Sequence, residues 1–210
     1  MSLTLYAGSK RLSSWSLRPY LVLAHAGAQF ETRVILLDQA DTKAKIGAVN
    51  PAGRVPVLYD DGHAIWDSLA ICEYVNELYP PAKLWPTDRT ARAHARSISA
   101  EMHSGFAALR RDMPMDLIAR KPGVGHTPEA LADARRVMTI WRECLGSSNG
   151  PFLFGNFTIA DAMFAPVTTR FTTYGVELDK TCQAYSDAIQ NLPAFKTWLA
   201  DAANEPQTRP

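Results

Sequence analysis

Residues 50–77, NPAGRVPVLYDDGHAIWDSLAICEYVNE, decide the fold. Val55 to Tyr59 and His63 to Trp66 are two short apolar strands, joined by Asp61-Gly62, a strong short-range hairpin signal. The second strand runs into Asp67-Ser68, a helix N-cap ahead of Leu69, Ile71, Cys72, Val75 and Leu78 at helical spacing. Pro56 cannot donate to a sheet, so it belongs on an edge, at a strand's first residue or in a special turn. A cis Val55-Pro56 bond is the option with functional consequences.

A proline presented in that way turns the N–H and C=O of Val55 outward, where an extended peptide-like ligand can add itself as a strand. The helix start at Asp67-Ser68 offers free backbone N–H groups, a hydroxyl and a positive dipole end to a carboxylate. The Asp67 carboxylate suits an ammonium. A peptide-like ligand bearing both an α-carboxylate and an α-amino group satisfies both halves.

The chain has 210 residues, 47% of them hydrophobic and 20% charged, the composition of an ordinary soluble globular protein with length for two modest domains. With Lys+Arg 22 against Asp+Glu 21, the net charge of +1 supplies no field for nucleic acid or a membrane surface. The N-terminus lacks the apolar core of a signal peptide, and no apolar run approaches the ~18 residues a membrane span needs, so a cytoplasmic protein is expected. Cys72, Cys144 and Cys182 are odd in number, widely spaced and without a Cys-x-x-Cys, which argues for buried thiols and against a disulfide framework or metal site.

Upstream, Leu3 to Tyr6 alternates as a first strand, a helix begins near Ser16 with Pro19 in its first turn and ends at Gly27, and 30–37 is a second strand. Strand, helix, strand at this spacing is a right-handed βαβ unit. Residues 38–49 read as a loop with one irregular helical turn. Three prolines among 79–86 end the α/β region, which spans 1–80, and 81–88 form a linker. From 89 to 210 the β signal vanishes. A helix over 89–117, a loop at 121–128 closed by Thr127 and Pro128, and a helix stopped by Gly146 are followed by a Thr158-Ile159-Ala160-Asp161 capping box. The helix that box opens runs toward Tyr174 with a kink at Pro166, and two more helices cover 180–191 and 193–203.

This order of features, Asn-Pro-x-Gly-x-Val-Pro, a hairpin, an acidic-Ser pair opening a helix, a proline-rich linker and a helical region with a Thr-x-x-Asp box, resembles the cytosolic glutathione transferases over nearly the whole chain. The resemblance implies a thioredoxin-like N-terminal domain that binds glutathione, a helical-bundle C-terminal domain that shapes the second-substrate pocket, and a homodimer. It implies that Val55, beside Pro56, pairs with the cysteinyl part of glutathione and that Asp67 and Ser68 hold its γ-glutamyl end.

The run Ser13-Ser14-Trp15-Ser16-Leu17-Arg18 resembles the Ser-Ser-Cys-x-x-Arg motif of the zeta class, whose first serine activates the thiol. That implies Ser13 as the activating residue, with Ser14 second. Both serines also suit the plain role of capping the helix. Trp15 stands where the zeta motif has cysteine, which favours simple thiolate activation over isomerisation of maleylacetoacetate to fumarylacetoacetate. Ser-x-x-Ser in this loop cannot run the disulfide exchange of a redox Cys-x-x-Cys.

A thiol with a pKa of about 8.5 is a few per cent thiolate at neutral pH, and the thiolate is the nucleophile. A hydroxyl donating to the sulfur at a helix N-terminus lowers that pKa by about one or two units. Arg11, Arg18 and Arg54, with Lys43 and Lys45, are candidates for the glycyl carboxylate or an acidic co-substrate, Arg54 being assigned to glutathione. Arg11, Trp15, Met102 and Phe106 are assigned to the second-substrate pocket. The expected function is transfer of glutathione, the only co-substrate-like cofactor, to a small hydrophobic electrophile. The alternatives are a glutathione-dependent isomerase or dehalogenase and a non-catalytic scaffold on the same fold.

Overall fold

Short-range signals in the first eighty residues become four strands and three helices in the computed structural model, which describes residues 2–206; the ends of the two expected domains, residue 1 and 207–210, lie outside it. The elements are β1 (Leu3–Gly8), α1 (Ser14–His25), β2 (Phe30–Ile35), α2 (Thr42–Val49), β3 (Val57–Asp60), β4 (His63–Trp66) and α3 (Ser68–Leu78). The sheet order is β2-β1-β3-β4, with β1 parallel to β2 and antiparallel to β3, and β3 antiparallel to β4. This is a thioredoxin-like arrangement. Leu3, Leu5 and Ala7 alternate into the core, where α1 and α3 pack together through Leu17, Leu21, Ile71 and Val75.

Asp61 and Gly62 both take positive φ, +44° and +93°, as the tight hairpin requires. The Val55-Pro56 bond is cis, and β3 begins just after it.

Two local expectations change. Helix α1 starts at Ser14, two residues early, because the Ser13 hydroxyl accepts the Ser16 N–H and caps it. Pro19 therefore falls in the second turn and leaves the Trp15 carbonyl without its helical donor. The connector holds a two-turn helix, α2, anchored by Thr42, whose hydroxyl donates to the Leu36 carbonyl. Gly47 and a single buried residue, Ile46, hid its helical pattern.

The helical domain comprises α4 (Arg89–Ser104), α5 (Ala107–Asp112), α6 (Pro128–Gly146), α7 (Ile159–Tyr174), α8 (Lys180–Gln190) and α9 (Pro193–Ala203). The single helix expected over 89–117 is broken. Gly105 is extended, Phe106 is left-handed at φ +58°, and the Arg110 guanidinium bonds the carbonyls of Met102 and Gly105 that the break exposes. Helix α7 runs unbroken through Pro166 at the centre of the domain, almost entirely buried. Among the described residues no helix is long and apolar enough to cross a membrane.

The two halves meet where α1 packs on α7. Around that contact the loop 9–13 is held by the helical domain. Trp198 Nε1 donates to the Lys10 carbonyl at 2.8 Å, Glu205 accepts the Lys10 and Arg11 N–H groups, and the Lys10 ammonium pairs with Asp201. Arg11 forms a two-point pair with Asp116, at 2.7 and 2.9 Å. The loop that carries the two serines is thus fixed from outside its own domain.

Candidate active site

Two cavities meet at Trp15. The first, of about 450 Å³, is lined by Trp15, Arg54, Val55, Pro56, Asp67 and Ser68 among others. Asn50, itself buried, bonds the Arg54 carbonyl at 2.7 Å and the Ala52 N–H at 3.0 Å, which shapes the loop entering the cis bond. Val55 takes no part in the ladder, whose nearest pairs are Tyr6↔Val57 and Val57↔Trp66.

At the other wall, Asp67 adopts φ +74° and ψ +134°, a backbone conformation that a non-glycine residue holds at a cost of about 1–3 kcal/mol. Its Oδ1 accepts the Leu69 N–H at 2.8 Å and the Ala70 N–H at 3.3 Å. Its Oδ2 lies 3.2 Å from Nε2 of His103 on α4. The Ser68 hydroxyl is buried in this wall with no hydrogen-bond partner among the described residues. A buried hydroxyl without a partner is costly in a folded protein.

Ser13 lies behind Val55, beside Gly8. A Cβ added to Gly8 would meet Val55 Cγ2 at 3.0 Å and Ser13 Cβ at 3.1 Å, so the bare glycine lets these two residues approach each other. Ser13 Oγ is 2.7 Å from Ser16 Oγ.

The second cavity, of about 460 Å³, is lined by Ser14, Trp15, Arg110, Lys121, Arg170 and Tyr174, with Asp38 and Asp116 also on its wall. Arg170, from the middle of α7, donates Nε to the Met113 carbonyl at 2.9 Å and Nη2 to Ser14 Oγ at 3.3 Å, leaving Nη1 buried and, among the described residues, unpaired. Arg110 Nη1 is likewise without a partner among the described residues. Arg18 is fully buried, none of its three guanidinium nitrogens has a partner among the described residues, its carbon is 4.3 Å from the Trp15 ring centre, and Arg110 lies 4.8 Å from the same ring.

Burial disfavours all three charges, and Arg110 adds to the burden on the other two. Desolvation first, then Arg110, pushes Arg170 down to about 9, and desolvation with Arg110 and Arg170 pushes Arg18 well below its ordinary range. The nearby Asp116 is already engaged by Arg11, whose guanidinium offsets the burial of that carboxyl and holds it below its usual value. An incoming anion would relieve the cluster.

Of the residues expected from sequence, Arg54, Val55, Pro56, Asp67, Ser68 and Trp15 line the first cavity and Ser14 lines the second, while Ser13 lines neither and lies beside Val55 across Gly8. Arg11 points to Asp116 and lines neither cavity. Met102 and Phe106 face the core instead of either cavity, because Met102 continues the buried stripe of Ala95, Ile98 and Ser99 along α4 and Phe106 joins the same core just after the break. Arg110 and Arg170 escaped the sequence reading. The available signal was a lone arginine inside the otherwise uncharged stretch Phe164 to Tyr174, where a charge needs a reason to be buried. Among the described residues no cluster of His, Cys, Asp and Glu could hold a metal ion.

A four-stranded thioredoxin-like domain with a cis-proline cleft, followed by a helical domain that closes over it, defines the class. The chain belongs to the glutathione S-transferase family: residues 12–78 match the glutathione S-transferase N-terminal domain and residues 115–201 the C-terminal domain. It is 30% identical over 207 residues to a probable maleylacetoacetate isomerase of Caenorhabditis elegans, covering 97% of this chain and 95% of that protein. It is 27% identical to the maleylacetoacetate isomerase of Rattus norvegicus, covering 97% and 94%. A crystal structure of a glutathione transferase homolog from Burkholderia with bound glutathione superposes with a TM-score of 0.75 at 25% identity, covering 98% of this chain and 100% of that one.

Proposed function

We propose that this chain activates the thiol of glutathione through Ser13 and directs the thiolate at a small electrophile that carries a carboxylate. The observation that carries the first half is the cavity shared by Val55, Asp67 and the orphan Ser68 hydroxyl, with Ser13 meeting the Val55 side chain across Gly8. In this reading Val55 pairs with the cysteinyl backbone, and Asp67 and Ser68 hold the γ-glutamyl ammonium and carboxylate. Arg54 is assigned to the glycyl end. The sulfur then lies at the start of α1, where the Ser13 hydroxyl and the helix dipole favour its anion.

The second half rests on the three arginines. The sequence alone led to a hydrophobic electrophile; guanidinium nitrogens without partners among the described residues, around Trp15 and Ser14, argue for an acidic one. The thiolate forms a C–S bond at the electrophilic carbon and a leaving group departs. The second reading is an isomerase, which uses the same thiolate and returns it. The names of the two relatives and the basic cavity favour it for an unsaturated acid such as maleylacetoacetate, even with Trp15 at the cysteine position. Loss of halide from a halogenated acid is a third outcome of the same chemistry.

The division into 1–80 and 89–210 about the 81–88 linker belongs to this reading, as does assembly into a homodimer. Sedimentation should return twice the chain mass.

The test is the ultraviolet absorbance of the thiolate as glutathione is titrated across pH. The wild type should hold the bound thiol about one to two units below its free value near 8.5. Ser13→Ala should bind glutathione, restore the pKa and lower kcat/KM roughly 10- to 100-fold. Binding with no thiolate signal transfers the role to Ser14, and absence of binding leaves the scaffold reading. Gly8→Ala should force Ser13 and Val55 apart, raising KM for glutathione about 5- to 10-fold and costing about 1–3 kcal/mol of stability. An unchanged KM would mean that the close approach is irrelevant to binding.

A further inference from the structure

We propose that Ser16 is a positioning residue for the thiol-activating serine: its buried hydroxyl donates to the Ser13 oxygen and so turns the Ser13 proton toward the bound sulfur. The inference rests on Ser13 as the group that meets the thiol, and it follows from counting donors and acceptors at two neighbouring hydroxyls.

Ser13 Oγ and Ser16 Oγ are 2.7 Å apart, a separation at which either can donate. Each also accepts a backbone N–H: Gly8 N donates to Ser16 Oγ at 3.0 Å, and Ser16 N donates to Ser13 Oγ at 3.3 Å. A hydroxyl has one proton and two acceptor sites. Were Ser13 the donor, the proton of Ser16, a residue with no exposed surface, would have no acceptor among the described residues. Folded proteins avoid such orphan donors. With Ser16 as the donor the proton left over is that of Ser13, which keeps 5% of its surface exposed where Ser16 keeps none. Both acceptor sites of Ser13 are then filled, and the one group it has left to place is its proton.

In the proposed reading that proton meets the bound sulfur. Ser13 Cβ and Val55 Cγ2 flank the same point beside Gly8, at 3.1 and 3.0 Å, which makes Ser13 a neighbour of the residue that this reading pairs with the cysteinyl backbone. The result is a directed chain from the Gly8 N–H to the Ser16 hydroxyl, the Ser13 hydroxyl and the sulfur. Each link polarises the next. Capping α1 does not need this chain, since the cap uses only the backbone N–H of Ser16. The Ser16 hydroxyl therefore has a role that helix formation leaves unexplained.

The experiment reads the pKa of glutathione's thiol on the enzyme, from thiolate absorbance across pH, in wild type, Ser16→Ala, Ser16→Cys, Ser13→Ala and the double variant Ser13→Ala with Ser16→Ala. Ser16→Ala should raise the thiol pKa by roughly half the Ser13→Ala shift, about 0.5 to 1 unit, with KM for glutathione held within about twofold. In the Ser13→Ala background it should add nothing. Ser16→Cys, whose thiol is a weaker donor of similar shape, should fall between wild type and Ser16→Ala, and it decides the matter if alanine prevents folding. A wild-type thiol pKa in Ser16→Ala or in Ser16→Cys, with the Ser13→Ala shift intact, overturns the relay alone. An equal rise with and without Ser13 also overturns it, because the effect is then structural. If Ser13→Ala itself leaves the pKa unmoved, the assignment of Ser13 fails and the relay with it.

Discussion

Replacing Arg170 with methionine is expected to raise KM for a carboxylate-bearing electrophile roughly 30- to 1000-fold while leaving a neutral one, such as 1-chloro-2,4-dinitrobenzene, within about threefold. Arg170 is buried and, among the described residues, has one nitrogen unpaired beside the Ser14 hydroxyl. A carboxylate seated there would form a desolvated, charge-assisted pair, and truncating one partner of such a pair costs about 2–4 kcal/mol. The effect on stability should run the other way. Burial and Arg110 already push this guanidinium down to about 9, so removing the charge relieves a burden on the folded state that the lost bond to the Met113 carbonyl only partly offsets. Steady-state kinetics on the two electrophiles, with a thermal melt of each protein, make the comparison. Equal losses on both electrophiles would sink the assignment, since they would report a distorted site and not a missing cation.

Asp161→Ala should lower the unfolding midpoint by about 10 °C, from a loss of about 3–5 kcal/mol at 2–4 °C per kcal/mol for a chain of this size. Asp161 is fully buried and accepts the Leu153 N–H at 3.0 Å, the Thr158 N–H at 2.8 Å and the Thr158 hydroxyl at 3.0 Å. Alanine leaves two buried backbone donors without partners. The consequence reaches the site because this box fixes the first turn of α7, three turns before Arg170.

Desolvation, only partly countered by these hydrogen bonds, raises the carboxyl from 3.8 to about 6. A raised folded pKa means that the group's contribution to stability is complete below the unfolded value and is lost as pH rises through the folded one. The melting advantage of wild type over Asp161→Asn should therefore shrink between about pH 4 and pH 6. An advantage that grows over that window would show that the carboxyl is held ionised instead.

The sequence by itself determined what neighbouring residues decide between them. The Asp61-Gly62 turn needs two positive φ angles, the Thr158-Asp161 box closes over three residues, and Thr127-Pro128 opens α6 through contacts within one turn. Val55-Pro56 and Asp67-Ser68 were legible for the same reason, as both halves of that cavity lie within fourteen residues of chain. Tertiary structure decided the rest. The break at Gly105 depends on an arginine five residues on reaching back to two carbonyls, and α2 depends on Thr42 reaching the end of the previous strand. The second cavity joins Ser14 to Arg170 across 156 residues and ties Arg11 to Asp116 across 105. No periodicity or spacing encodes such pairs, because the energy that buries an unpaired guanidinium comes from the packing of two whole domains and not from its neighbours along the chain.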